Sequence, residues 1–484
     1  MLDLTDSVVV LGGGLNGSFV ARELLRGGMR VVMIDAGYDC NQDLIEPSVS
    51  SSSAVLKSHK FGIESASYVY GDFLSKLNIK TKNFQAVGSL AKGGLSNIWG
   101  GGLSRFEKHE LSHPSIDYDE LRSIYSYLTQ EMLNSLKEPV DDRLDLGFDK
   151  RFESIFDCSI GRVKFSQPIS ALSDKSKVFN STRYDNKGVY NARIMLEELQ
   201  HNNNFTLLTD RLIEKVIPSG RDYHIYTENI KIKGGQLIKA RTIFCCLGVL
   251  STTKIAMRMN GVFDIPVPIA NTPMFYFSLF TLKKRMNQTE FGLPSLSFEI
   301  NNSASISSGG IFPCNKEMID HFAIFKSLPS CLKMVIDQLF LQRLFIGNMF
   351  FSSDYSLNTV TLDKTDTLIV QGATKPTLKK MKSECLSHLR QSLKRFNIGI
   401  IPFVSKSTIP GSDVHYSGTI PMKTNGSGLS CSPLGVLKGH KLFYIADASF
   451  HETIPGKPNT FTSIAQSIYI TRKYVFRMTG RTLK

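Results

Sequence analysis

Gly12, Gly14 and Gly17 directly follow an apolar run, open a helical pattern, and precede an acidic residue, Asp35, at the distance a strand–helix–strand unit needs. Each has a physical task at a phosphate. Gly12 permits a tight turn, Gly14 lets the backbone approach a pyrophosphate at the helix N-terminus, and Gly17 allows the helix to lie close on the strand. Asp35 can accept ribose hydroxyls, and Leu15 and Asn16 lie inside the same loop. The pattern predicts a dinucleotide site without choosing between a nicotinamide and a flavin nucleotide, and a ligand-free strand-to-helix turn is the plain alternative. A second cluster, Gly88 to Arg105 (GSLAKGGLSNIWGGGLSR), sets Ser96, Asn97 and the only tryptophan, Trp99, between Gly93-Gly94 and Gly100-Gly101-Gly102. Such a density of glycines with donors between them suits backbone wrapped around a phosphate chain or a planar ring.

Further motifs lie at a distance. Asp413 to Met422 reads DVHYSGTIPM, Leu442 to Ser449 reads LFYIADAS, Pro458-Asn459-Thr460 opens a helical stretch through Thr471, and Phe244 to Lys254 reads FCCLGVLSTTK. With the glycine loop and in the same order, these segments resemble the glucose–methanol–choline (GMC) family of FAD-dependent oxidoreductases. The 88–105 loop is most similar to that of the sugar-oxidising pyranose oxidases.

The resemblance implies an α/β fold with a Rossmann-like, GMC-type FAD-binding domain from residues 1–108, 190–262 and 411–484. A second, α+β substrate domain on an antiparallel sheet is implied for 109–189 and 263–410. FAD is the implied cofactor, with contacts from Gly12, Gly14, Leu15, Asn16, Gly17, Asp35, Gly93, Gly94, Ser96, Asn97, Val216, Gly248, Asp447, Ala448, Asn459 and Thr460. Oxidising an alcohol needs a base near neutral pKa and a donor that steadies a developing alkoxide. The resemblance gives those roles to His415 and Asn459. Three departures matter: Asp35 stands where the family usually has Glu, Thr460 replaces a proline, and Ile98 occupies the place of a flavin-linked histidine. The last implies FAD held non-covalently. His451 has no fixed role in the pattern.

These residues need elements to position them. Val8 to Leu11, a helix over Phe19 to Leu25 and Val31 to Ile34 read as a strand–helix–strand unit. Asn191 to Gln200 reads as a helix, followed by strands at Phe205 to Leu208, Arg211 to Ile217, Tyr223 to Glu228 and Thr242 to Leu247. Between Val262 and Ser405 short strands such as Met274 to Leu282 and Ser295 to Ile300 alternate with helices near Cys331 to Leu344 and Leu378 to Phe396. The last helix carries an apolar stripe and a basic remainder, which reads either as a buried and a solvated face or as a contact with an anionic membrane or substrate.

Composition excludes other classes. At 484 residues with 42% apolar and 21% charged residues, the chain can bury large cores and is not a disordered or fibrous protein. A net charge of +14 over this length, with no basic stripe interleaved with aromatics, argues against nucleic acid and for a basic surface that attracts anionic substrates. Eight scattered cysteines show no metal spacing and read as thiols of a reducing cytosol, and the N-terminus lacks a secretory pattern. The longest apolar stretch, Cys331 to Phe351, is broken by polar residues, so no membrane span is expected. The expected protein is a cytoplasmic flavoenzyme oxidising a small alcohol or sugar. Its alternatives are a redox-silent lyase of the hydroxynitrile type and a non-catalytic protein bound at a membrane surface. Electron acceptor and oligomeric state leave no motif.

Overall fold

The computed structural model describes residues 1–37, 72–111, 113–134, 150–171, 189–282, 294–302, 305–314, 329–339, 341–424 and 428–483. Every residue of Val8–Leu11 and Val31–Ile34 is buried, as expected of strands covered on both faces. They pair in parallel, and Thr242–Cys245, Phe443–Ile445 and Phe205–Leu208 complete a five-stranded parallel sheet. From Val8–Leu11 the chain moves one way to Val31–Ile34 and later returns on the other side at Thr242–Cys245. The carboxyl ends of Val8–Leu11 and Thr242–Cys245 therefore flank a topological switch point, where doubly wound sheets open a crevice.

Helices Leu15–Arg26, Thr460–Thr479 and Tyr118–Asn134 pack in succession beside this sheet. Glu23, fully buried on the first, is paired with Arg472 of the second at 2.7 Å and accepts from Tyr127 of the third at 3.0 Å. A buried charge with partners on both neighbours fixes how the three helices sit. A small sheet of Leu2–Asp3, Gly235–Ala240, Asp222–Asn229 and Arg211–Ser219 lies at one side.

The second body is a seven-stranded antiparallel sheet in the order Ile398–Ser407, Met274–Thr281, Leu344–Phe350, Ser305–Pro313, Leu296–Asn302, Val163–Ser166, Ser159–Ile160. Strand alternation splits its side chains. Phe275, Phe277 and Leu279 enter a core shared with Leu378, Cys385, Leu389 and Leu393 of helix Leu378–Lys394, whereas Met274 and Tyr276 face a large cavity. The apolar stripe of the basic helix is thus covered by the protein's own sheet.

Two expectations change. The single helix expected over Cys331 to Leu344 is a helix Ser330–Leu339 followed by the strand Leu344–Phe350. A continuous apolar run reads as buried helix or strand; here it pairs with a strand on each side, and Gly347 leaves room for the Phe277 ring, from which a Cβ would lie 2.2 Å. The stretch 109–189 is shared between the two bodies, since Tyr118–Asn134 packs in the first core and Val163–Ser166 joins the second sheet. Likewise Thr359–Leu362 and Leu368–Gln371 pair with each other and bury Val360, Leu362, Leu368 and Val370 in the first core, and Leu368–Gln371 pairs in parallel with Ile79–Lys82. Among the described residues no helix is long and apolar enough to cross a membrane.

Candidate active site

The cavity between the parallel sheet and the antiparallel sheet encloses about 1680 Å³. At the switch point its floor is backbone. Gly12 has φ +96°, and a Cβ on it would lie 2.5 Å from the Cys246 carbonyl oxygen; a Cβ on Gly17 would lie 1.9 Å from the Gly12 oxygen. Both glycines are therefore structural necessities of the turn, and Gly17 does not line the cavity. Gly14 is different: it caps helix Leu15–Arg26, and nothing lies within 4 Å of where its Cβ would be. Gly248 repeats the arrangement at the N-terminus of helix Val249–Met259, with φ +80° and open space around it. Asn459 and Thr460 place the N-terminus of helix Thr460–Thr479 on the same cavity. The positive ends of three helix dipoles thus open onto one space, which favours anionic groups there.

Around that floor the expected cofactor contacts divide. Leu15, Asn16, Gly94, Ser96, Ala448 and Thr460 line the cavity, whereas Gly93 and Asn97 do not. Asn16 ties the loop to the last helix by donating to Ser463 and Ser467 at 2.8 and 2.9 Å. Gly94 brings the second loop over the first, its open side facing Gly14 Cα. Asn97 turns inward and donates to the carbonyls of Lys92 and Gly94 at 3.0 and 2.7 Å. Ser96 accepts from the Ala192 N–H at 3.0 Å, which links this loop to helix Ala192–Leu199. The strand Arg211–Ser219 meets the cavity through Arg211, Leu212, Ile213 and Glu214, while Val216 is buried in the core. The pairing register shifts between Ile213 and Lys215, as at a bulge, and the cavity-lining residues belong to the start of the strand.

Two carboxylates frame the floor. Asp35 Oδ2 accepts from the Gly13 N–H at 2.6 Å, while its buried Oδ1 has no hydrogen-bond partner. Loss of water pushes the Asp35 carboxyl up to about 6, against the pull of the Gly13 and Gly37 N–H groups. An unpaired acceptor beside an open glycine turn fits the ribose hydroxyls of a dinucleotide. Asp447 is instead saturated: it accepts from Gly248 N–H and Thr252 at 3.0 and 2.5 Å and from the Ser449 N–H and hydroxyl at 3.0 and 2.5 Å. Burial raises its carboxyl and these donors oppose the shift. Its side chain shapes the turn at Gly248 and leaves Ala448 to the cavity.

At the other end His415 lines the cavity with its side chain 16% exposed. The Phe350 ring lies 5.1 Å away, and His415 Nδ1 lies 3.0 Å from Thr272 Oγ1. Burial lowers the His415 pKa and the nearby Asp413 carboxylate opposes it. Asn459, 3% exposed, donates from Nδ2 to the carbonyl of Tyr416, the neighbour of His415, at 3.1 Å. The imidazole and the carboxamide are thereby joined through one residue of backbone, and a second Asn459 N–H remains for a ligand.

No protein-family model matches the chain, and no curated protein matches it. Solved structures do. Pyridoxine 4-oxidase from Mesorbium loti superposes with a TM-score of 0.63 at 13% identity, covering 97% of this chain and 99% of its own. Formate oxidase from Aspergillus oryzae RIB40 gives 0.65 at 12% identity, covering 99% and 100%. The fold is the GMC fold.

Three features of this GMC fold carry no sequence signal of their own. Thr272, behind His415, comes from a segment 141 residues before Asp413, and only Asp413 lies in the motif around His415. The cavity roof of Tyr276, Asn348, Phe312 and Phe350 comes from the antiparallel sheet. Lys457, 5% exposed, stands 3.2 Å from both Glu110 and Glu299 at the cavity wall. Burial works against its charge, but the two carboxylates prevail and raise its pKa. His451 lies wholly buried between Phe106 and Phe450, outside the cavity lining, with neither ring nitrogen bonded. Burial pulls its pKa down to about 3, so it packs as a neutral ring.

Proposed function

We propose that this chain is an FAD-dependent oxidoreductase that oxidises a CH–OH group, with His415 as base and FAD held non-covalently. One observation carries the reading: the open glycine turns, three helix N-termini and the unpaired Asp35 oxygen share a single cavity with His415 and Asn459. Its 1680 Å³ exceed the roughly 300–1,000 Å³ of a usual small-ligand pocket, which leaves room for a dinucleotide and a substrate together. Similar structures named as pyridoxine and formate oxidases, one of them described for FAD modification, support a flavin rather than a nicotinamide. At the position of a flavin-linked histidine, Ile98 offers no nucleophilic atom, which supports non-covalent binding.

Gly12, Gly14, Gly94 and Gly248 would hold the pyrophosphate of FAD and Asp35 its ribose. When bound, FAD supplies a hydride acceptor for the substrate carbon. His415 takes the hydroxyl proton through its free ring nitrogen. The spare Asn459 N–H steadies the substrate oxygen as negative charge grows on it. Phe350 and the sheet roof exclude water from this end.

The test is anaerobic mixing of the purified yellow protein with a panel of alcohols and sugars. At least one CH–OH compound is expected to bleach the flavin. A flavin that no member of the panel reduces, in a protein that cleaves hydroxynitriles, contradicts the proposal and selects the lyase chemistry.

A further inference from the structure

His415 is the end of a buried polar chain. Thr272 is fully buried, and its Oγ1 lies 3.0 Å from His415 Nδ1 and 2.7 Å from Asp413 Oδ2. The same carboxylate accepts from the Thr272 N–H and from Asn271 Nδ2, both at 2.9 Å. Asn271 Oδ1 accepts in turn from Asn358 Nδ2 at 2.6 Å, and Asn358 Oδ1 accepts from the Ala373 N–H at 2.9 Å. Asp413 is therefore held from behind by donors that leave it one direction to act, toward Thr272 and the imidazole.

Counting protons decides the direction of the last bonds. The threonine hydroxyl has a single proton, and an ionised carboxylate can only accept. A hydroxyl facing a carboxylate at 2.7 Å gives that proton to it, because a charge-assisted bond is about twice as strong as a neutral one. Thr272 Oγ1 then faces His415 as an acceptor, so Nδ1 must carry the hydrogen. In a neutral imidazole Nε2 is then the lone pair. The ring is neutral at ordinary pH, because burial lowers its pKa further than Asp413, 3.7 Å from Nδ1, restores it.

The backbone supplies an independent sign of constraint. Val414, between the two acting residues, has φ +61°. A β-branched residue adopts that region only where its surroundings over-determine it, and such residues gather at functional sites. Here the turn aims residues 413 and 415 at one threonine hydroxyl.

We propose that Thr272 and Asp413 are positioning residues that lock His415 in its Nδ1–H tautomer and so present Nε2 to the cavity as a proton acceptor. This rests on the oxidation proposed above. In that reaction the substrate O–H bond breaks as Nε2–H forms, and the carbon–hydrogen electron pair leaves as hydride to the flavin oxidant while the carbonyl forms.

The experiment has a structural and a kinetic readout on the full-length holoprotein. Histidine-selective 15N labelling, with His415 assigned by its disappearance in His415→Gln, is expected to show Nε2 unprotonated and Nδ1 protonated. Thr272→Val keeps the shape but removes the acceptor, and is expected to mix the two tautomers. In the same variant flavin reduction slows about tenfold to a hundredfold at little change in KM, and Thr272→Ser restores both readouts. An Nε2–H tautomer in the wild type, or a tautomer and rate untouched in Thr272→Val, overturns the proposal. Because the labelling needs no substrate, it separates failure of the relay from failure of the oxidation reading: a flavin that nothing reduces leaves the tautomer measurement intact.

Discussion

Around Gly12 and Gly248 the cavity wall is backbone, whereas around His415 it is side chains linked through several partners. In the first region function depends on atoms that are missing: a Cβ on Gly17 would strike the Gly12 oxygen at 1.9 Å, and Gly14 has nothing within 4 Å so that a ligand can come close. In the second, function depends on which proton each buried group holds. A change in the glycine floor should therefore act on folding or cofactor retention, and a change in the side-chain network on rate.

The sharpest way to break this contrast is Gly17→Leu. It should destabilise by at least about 4 kcal/mol, giving an insoluble or colourless product, because backbone on the other side of the contact cannot move aside. A urea midpoint equal to that of the wild type would remove the close-packing argument. Lys457→Met instead removes a buried cation at the cavity wall, next to the start of helix Thr460–Thr479 and between Glu110 and Glu299. With buried Glu110 left uncompensated, the unfolding free energy from urea titration should fall by about 3–5 kcal/mol, half-exposed Glu299 adding little. A neutral result would mean that water already screens the two carboxylates.

His415→Ala should lower the rate of anaerobic flavin reduction by about 10²–10⁴-fold with the bound flavin retained. Loss of flavin in this variant would place His415 in the wall rather than in the chemistry. The smallest effect concerns Asp35. With its folded pKa near 6 and its unfolded value near 3.8, the folded state keeps a proton that the unfolded state has lost between those values. Stability of the FAD-stripped protein should then fall as pH rises from about 4 to 6, by about 1–3 kcal/mol, and stay level above. Asp35→Asn should flatten that slope in urea midpoints taken across the range, and should weaken FAD binding. A slope unchanged by the substitution would assign it to another group.

The same contrast explains what could be read in advance. A glycine turn between strand and helix is a local event, so Gly12 to Gly17, Asp35 and the βαβ unit are visible in residue spacing. The antiparallel sheet is assembled from strands far apart in sequence, and its short apolar runs fit a helix or a strand equally, as the segment Leu344–Phe350 shows. Thr272 is invisible for a related reason: nothing local marks a threonine whose partner lies 141 residues away. Val216 is buried in the core while Arg211 to Glu214 line the cavity, and the register shift between Ile213 and Lys215 leaves no residue pattern. Tyr118–Asn134 lies in the stretch 109–189 that the resemblance gives to the second body, yet it packs in the first core, because helical spacing marks an apolar face without marking what covers it.

The central claim, that this cavity holds FAD without a covalent bond beside His415 and Asn459, is tested most directly by acid precipitation of the purified protein and the absorption spectrum of the supernatant. The account predicts a yellow protein that releases about one FAD per chain into solution. A colourless protein that takes up no added FAD, or flavin that stays with the precipitate, would contradict it.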